Sequence, residues 1–176
     1  MKKLLNTALF LFVILMTSCT APDVWELVSK DSNIRFALEN KQENGSTALS
    51  YSVFYKNGVA MEKSLLGLVM DNCEYGKDVQ FVSASAVKDI SNAYQLKSGK
   101  KMNTTDECRE QTFTFRTKEN KLFNLTVRVY NDGVAFRYEL PGEAGQMHTI
   151  QTEHTEFAVP VNGKAWIHPY DWNDRH

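Results

Sequence analysis

The sequence predicts an all-β protein, a sandwich of antiparallel sheets. Three observations predict it. Apolar residues alternate with period two over several segments, Asn-Gly and Asp-Gly pairs mark turns, and no window sustains helical spacing beyond about two turns. Strands without intervening amphipathic helices stack sheet on sheet rather than forming a parallel α/β array.

The chain begins with Lys2 and Lys3, followed by an apolar run over residues 4–16. That run is shorter than the ~20 residues a membrane-crossing helix needs, so residues 1–18 are predicted to be a signal peptide. Thr17 and Ser18 precede Cys19, a pattern that resembles the lipobox at which bacterial lipoproteins are cleaved and acylated. Cys19 is therefore the predicted lipidation site, and the protein is expected to be exported to the periplasm or outer membrane with a membrane anchor. Residues 19–30 read as a polar tether, and residues 31–176 as the β-sandwich domain.

Within that domain, residues 33–40 and 47–55 alternate, and Asn57-Gly58 predicts a type I′ hairpin turn after Tyr55. Residues 79–87, 112–117 and 122–130 alternate again or are rich in β-formers, whereas the polar stretch 90–110 predicts a long irregular connection. Centring a turn on Asp132-Gly133 pairs Val129 with Phe136 and Val127 with Tyr138 on one core-like face. The same register sets Arg128 opposite Arg137 on the other face, where like charges need an acid, and Glu139 is the nearest.

At 176 residues the chain suits one domain, and 20 Lys+Arg against 21 Asp+Glu leave no field to attract a nucleic acid. Export would permit a disulfide, so Cys73 and Cys108 read either as a pair or as two buried free thiols. No C-x-x-C or H-x-x-x-H pattern links the cysteines or His148, His154, His168 and His176, and no metal ligand is assigned. Glu153 and Glu156 beside His154 read as solvent-exposed loop acids. No spacing selects a carboxylate pair and no G-x-S-x-G occurs, so no catalytic residue is assigned. Trp166, His168, Tyr170 and Trp172 recur at every second position. In an extended segment their rings share one side, suited to stacking on sugar faces or to packing on another domain.

The stretch 128–141, reading RVYNDGVAFRYELP, resembles the signature hairpin of the N-terminal domain of glycoside hydrolase family 97. Ser64-Leu65-Leu66-Gly67-Leu68, Thr152-Glu153-His154-Thr155-Glu156-Phe157 and Ala165-Trp166 fall in the order that family has them. The resemblance implies a galactose-mutarotase-like super-sandwich, non-catalytic, in an exported bacterial enzyme that cleaves α-glucosidic or α-galactosidic bonds. It also implies a partner (β/α)8 barrel that carries the catalytic acids, and calcium held by glutamates in the full-length enzyme. Because residues 166–176 read as the middle of an element, the sandwich is expected to be incomplete at its C-terminus. The function so implied is a carbohydrate-binding or accessory module of such an enzyme. Two other readings are a free-standing glycan-binding lipoprotein and a structural or protein-interaction sandwich.

Overall fold

The computed structural model describes residues 24–43, 45–98, 100, 102–142 and 147–166. Among them no helix occurs, and antiparallel strands build three sheets. β1 (Val24–Val28), β2 (Ile34–Glu43), β3 (Ser46–Tyr55) and β4 (Gly58–Leu65) form a meander in that order. β7 (Gln80–Ala84), β9 (Asn103–Arg116), β10 (Leu122–Tyr130) and β11 (Val134–Glu139) form the second sheet, where β8 (Lys88–Gln95) also pairs with β9. β5 (Leu68–Met70), β6 (Glu74–Tyr75) and β12 (Ile150–Glu153) make a small third sheet in the order β12-β5-β6.

Alternation explains the core. Phe36 and Leu38 of β2 and Leu49 of β3 meet Phe113 and Phe115 of β9 and Phe123, Leu125 and Val127 of β10, all with no exposed surface. Each such side chain contributes about 1.5–3 kcal/mol through burial. Phe115 stacks on Phe123 at 5.5 Å between centroids and takes the edges of Trp25 at 6.0 Å and Phe81 at 5.9 Å. The sandwich class is as the sequence predicts.

Four details differ from the expectations. Residues 24–28 are a strand rather than part of the tether: Leu27 pairs with Phe36 and is 2% exposed, so Trp25 and Leu27 extend the core by one edge strand. Residues 90–110 are a hairpin rather than an irregular connection, with β8 and β9 in register from Lys88↔Glu110 to Gln95↔Asn103. Its distal part has no covering sheet, so no face demanded apolar residues.

Both turns sit one residue earlier than the glycines suggested. Tyr55 pairs with Gly58, leaving Lys56 and Asn57 at the bend, and Val129 pairs with Val134 rather than Phe136. Neighbouring turns fix these positions. The Lys56 N–H donates to the Asn33 carbonyl at 2.7 Å, and the Asp31 N–H donates to Asn131 Oδ1 at 3.2 Å. Lys56 takes φ 52°, while Gly133 is outside the left-handed region. The two-residue slip keeps every side chain on its face but changes its partner. Arg128 now stands opposite Ala135, and Arg137 opposite Thr126. Glu110, across from Arg128 on β9, binds it at 2.7 Å, whereas Glu139 binds Arg137 at 2.6 Å.

Cys73 and Cys108 are both buried and free. Cys73 Sγ lies 3.2 Å from Thr117 Oγ1, just past the end of β9, and Cys108 stands nine residues back along that chain. At ~3.3 Å per residue the separation is roughly 25–30 Å, beyond any disulfide.

Candidate functional site

Segments distant in sequence converge where the sandwich meets the small sheet. Residues 154–158 run antiparallel to residues 62–67. The His154 N–H donates to the Gly67 carbonyl at 2.9 Å, the Glu156 N–H to the Leu65 carbonyl at 2.9 Å, and the Glu62 N–H to the Ala158 carbonyl at 2.8 Å. Side chains complete the seam. Glu156 Oε2 accepts from the Leu65 N–H at 3.1 Å, Ser64 Oγ accepts from the Ala158 N–H at 2.9 Å, and the Tyr51 hydroxyl donates to the Glu156 carbonyl at 2.9 Å. Glu156 is exposed and outside the strands, as the sequence suggested, and also caps the Leu65 N–H; Glu153 is likewise exposed but belongs to β12 rather than to a loop. The Tyr138 hydroxyl joins from the signature hairpin, 3.0 Å from Thr155 Oγ1. Burial pushes its pKa up to about 12, so it serves as a neutral hydrogen-bonding group at ordinary pH.

Gly67 and Gly76 let this junction close. A Cβ on Gly76, which has φ 98°, would stand 2.1 Å from the Leu66 carbonyl oxygen. One on Gly67 would meet the Tyr75 carbonyl oxygen at 3.0 Å. Beside them opens a groove of about 490 Å³. Leu49, Leu66 and Tyr75 line its apolar part, and Glu74, Lys77 and His154 add polar groups. The Tyr75 phenol is pushed up to about 12, first by burial and then by the neighbouring Cys73. Sequence reading passed over Glu74, Lys77 and Tyr75, because a two-residue strand offers no periodicity; the glycines at 67 and 76 were the available signal.

A second, smaller groove lies between β4 and β11. Tyr51, Val53, Met61, Val134, Phe136 and Phe157 line it. The chain then continues with apolar side chains in solvent: Phe157 is 65% exposed, Val161 96% and Trp166 89%.

Of the aromatic row, Trp166 is therefore exposed and outside both grooves, while His168, Tyr170 and Trp172, together with Cys19, lie outside the described residues. His148 Nδ1 lies 3.3 Å from Asp71 Oδ1, and His154 stands at the groove. Among the described residues no three His, Cys, Asp or Glu side chains gather as a cation site.

Comparison with known proteins places these features in a family. The family model described as "Glycosyl-hydrolase 97 N-terminal" matches residues 27–176. A probable retaining alpha-galactosidase of Streptomyces bingchenggensis (strain BCW-1) is 28% identical over 123 residues, covering 70% of this chain and 19% of that protein. The solved structure of a glycoside hydrolase family 97 enzyme of Pseudoalteromonas sp. strain K8, in complex with panose, superimposes with a TM-score of 0.68 at 26% identity. That match covers 78% of this chain and 20% of the enzyme, and the same enzyme is also known in complex with acarbose. A beta-arabinopyranosidase structure gives a TM-score of 0.70 at 27% identity, over 77% of this chain and 21% of that one. The chain thus spans about a fifth of the length of the relatives it matches. With a family model covering residues 27–176, most of the chain, the chain belongs to the glycosyl-hydrolase 97 N-terminal domain family.

Proposed function

We propose that this chain is the non-catalytic accessory β-sandwich of a glycoside hydrolase acting on α-linked glycosides. The carrying observation is the uncovered apolar run at Phe157, Val161 and Trp166, beside the apolar groove between β4 and β11, in a chain of N-terminal-domain family. Covering that surface with a catalytic (β/α)8 barrel of the same parent protein would remove it from water. Trp166, with His168, Tyr170 and Trp172 after it in sequence, would then supply rings to the wall of the sugar site. The alpha-galactosidase relative and the panose and acarbose complexes of the Pseudoalteromonas enzyme support α-glucosides or α-galactosides as the substrate class.

Export and acylation at Cys19 belong to the same proposal. Calcium, which the family resemblance implies for the full-length enzyme, is assigned no step, because the described residues offer no cluster to hold it.

The test is to purify the chain and assay it on aryl α-glycosides, then titrate it calorimetrically with α-linked glucose and galactose oligosaccharides. No turnover is expected, together with weak binding that Trp166→Ala reduces. Turnover that follows the protein through purification overturns the accessory role. Binding indifferent to Trp166→Ala removes the aromatic segment from it. Radiolabelled palmitate incorporated in wild type and absent in Cys19→Ala checks the anchor.

A further inference from the structure

The distal end of the β8–β9 hairpin is a two-stranded ribbon that runs past the end of β10, where Tyr94 and Asp106 line a groove with the β10–β11 turn at Tyr130 and Asp132, and only its tip reaches beyond that groove. Residues 103–107 of β9 pair with residues 91–95 of β8, and β10 stops pairing at Cys108. Beyond the ladder the Leu96 N–H donates to the Met102 carbonyl at 2.7 Å, which continues the register and sets those two residues opposite each other. Tyr94, two positions before Leu96, shares their face. The three are 48%, 41% and 46% exposed. Isolated two-stranded ribbons are marginal in water, and an apolar group at the end of one, open to solvent, calls for a covering surface.

Charge selects that surface. The lysines gather at the tip: Lys97, Lys100 and Lys101 lie in residues 96–102 without an acid, whereas Asp89, Asp106 and Glu107 sit at the base of the ribbon. Lys97 and Lys100 are exposed at the bend, next to Leu96 and Met102. Aromatic and aliphatic side chains flanked by lysines are the composition that enters the headgroup layer of an anionic bilayer, with the ammonium groups on lipid phosphates. A second copy of this chain would bring the same positive tip against itself. We infer that the ribbon tip, with Tyr94, Leu96 and Met102 as apolar contacts and Lys97 and Lys100 as cations, docks on an anionic phospholipid surface. The contact is independent of an acyl chain and would set the orientation of the domain above the membrane.

The test compares full-length chains, all carrying Cys19→Ala so that no acyl chain anchors them, in sedimentation with vesicles of phosphatidylethanolamine and phosphatidylglycerol, and with phosphatidylcholine alone, at low and high salt. Partitioning into the anionic vesicles should fall about twenty-five-fold at low salt in Lys97→Gln/Lys100→Gln, from about fivefold per lysine. It should also fall in Leu96→Asp, and fall in wild type as salt rises. Lys41→Gln/Lys121→Gln, with the same charge change elsewhere, should partition like wild type, and circular dichroism should find every variant folded. Equal partitioning of the tip variant and wild type overturns the inference, as does equal partitioning into phosphatidylcholine. A concentration-dependent dimer in ultracentrifugation, lost in Leu96→Asp, overturns it in favour of a second copy.

Discussion

β9 passes through two environments in 14 residues. Its C-terminal part, between β7 and β10, carries Phe113 and Phe115 with no exposed surface. Its N-terminal residues 103–107, paired to β8, alternate between partly exposed and exposed. The backbone ladder is continuous across both. Hydrogen bonding alone therefore does not separate them; the difference lies in whether a second sheet covers a face.

The sharpest way to break this contrast is Phe115→Ala. It empties the position between Trp25, Phe81 and Phe123 and should cost about 3–5 kcal/mol in urea denaturation. A loss below about 1 kcal/mol would mean that the ring cluster is not where stability resides. Gly76→Ala, near the same end, should cost roughly 2–4 kcal/mol, because a Cβ meets the Leu66 carbonyl and φ 98° disfavours any side chain. A crystal structure of that variant with the Leu66–Gly76 contact unchanged would contradict the packing argument.

Glu110 stands where the covered part of β9 gives way to the ribbon, and it holds Arg128. Glu110→Gln should cost about 1 kcal/mol, the scale of a partly exposed charged pair, and less as salt is added.

Asp78 sharpens the contrast through pH. The Lys118 ammonium, the Ser46 hydroxyl and the Thr47 N–H hold its carboxyl down to about 2, from an ordinary 3.8. A pKa lower in the folded state stabilises fully above 3.8, and that contribution is lost as pH falls toward 2. Asp78→Asn should therefore flatten the acid limb of a stability–pH curve between those values and leave its shape near neutrality unchanged. Thermal melts across that range check it.

The smallest effects should come from Tyr94→Ala in the ribbon and Gly133→Ala in the β10–β11 turn, each within about 0.5 kcal/mol of wild type. A Cβ on Gly133 meets nothing within 4 Å. A large loss at Gly133 would restore the Asp132-Gly133 turn that the sequence suggested.

The same contrast explains how much could be read in advance. β10 was legible to the residue, 122–130, because Phe123, Leu125, Val127 and Val129 alternate strictly against polar neighbours. β8 was invisible, since neither of its faces is held in a core and its residues follow no apolar period. β1 carried its signal in only Trp25 and Leu27, too short to stand out beside a presumed tether. The two turn registers failed for another reason: an Asn-Gly or Asp-Gly pair describes a hairpin by itself, whereas Asn33 and Asp31 anchor these turns from a third one. Of the candidate site, the order of the family fragments was readable. That residues 64–67 and 154–158 lie side by side was not, because nothing local encodes a contact across some 90 residues.

That seam also has a kinetic meaning. β1 to β4 form a meander of local pairings, complete once the first 65 residues have been made. The outer edge of β4, by contrast, finds its partner only in residues 156–158, through bonds such as that from the Leu65 N–H to Glu156 Oε2, which spans 91 positions. Non-local closures of this kind form late, and until then an unpaired strand edge invites other chains. During vectorial synthesis the growing polypeptide therefore holds an open β4 edge for nearly a hundred residues, and slowing elongation just before Thr155 should raise the yield of aggregates.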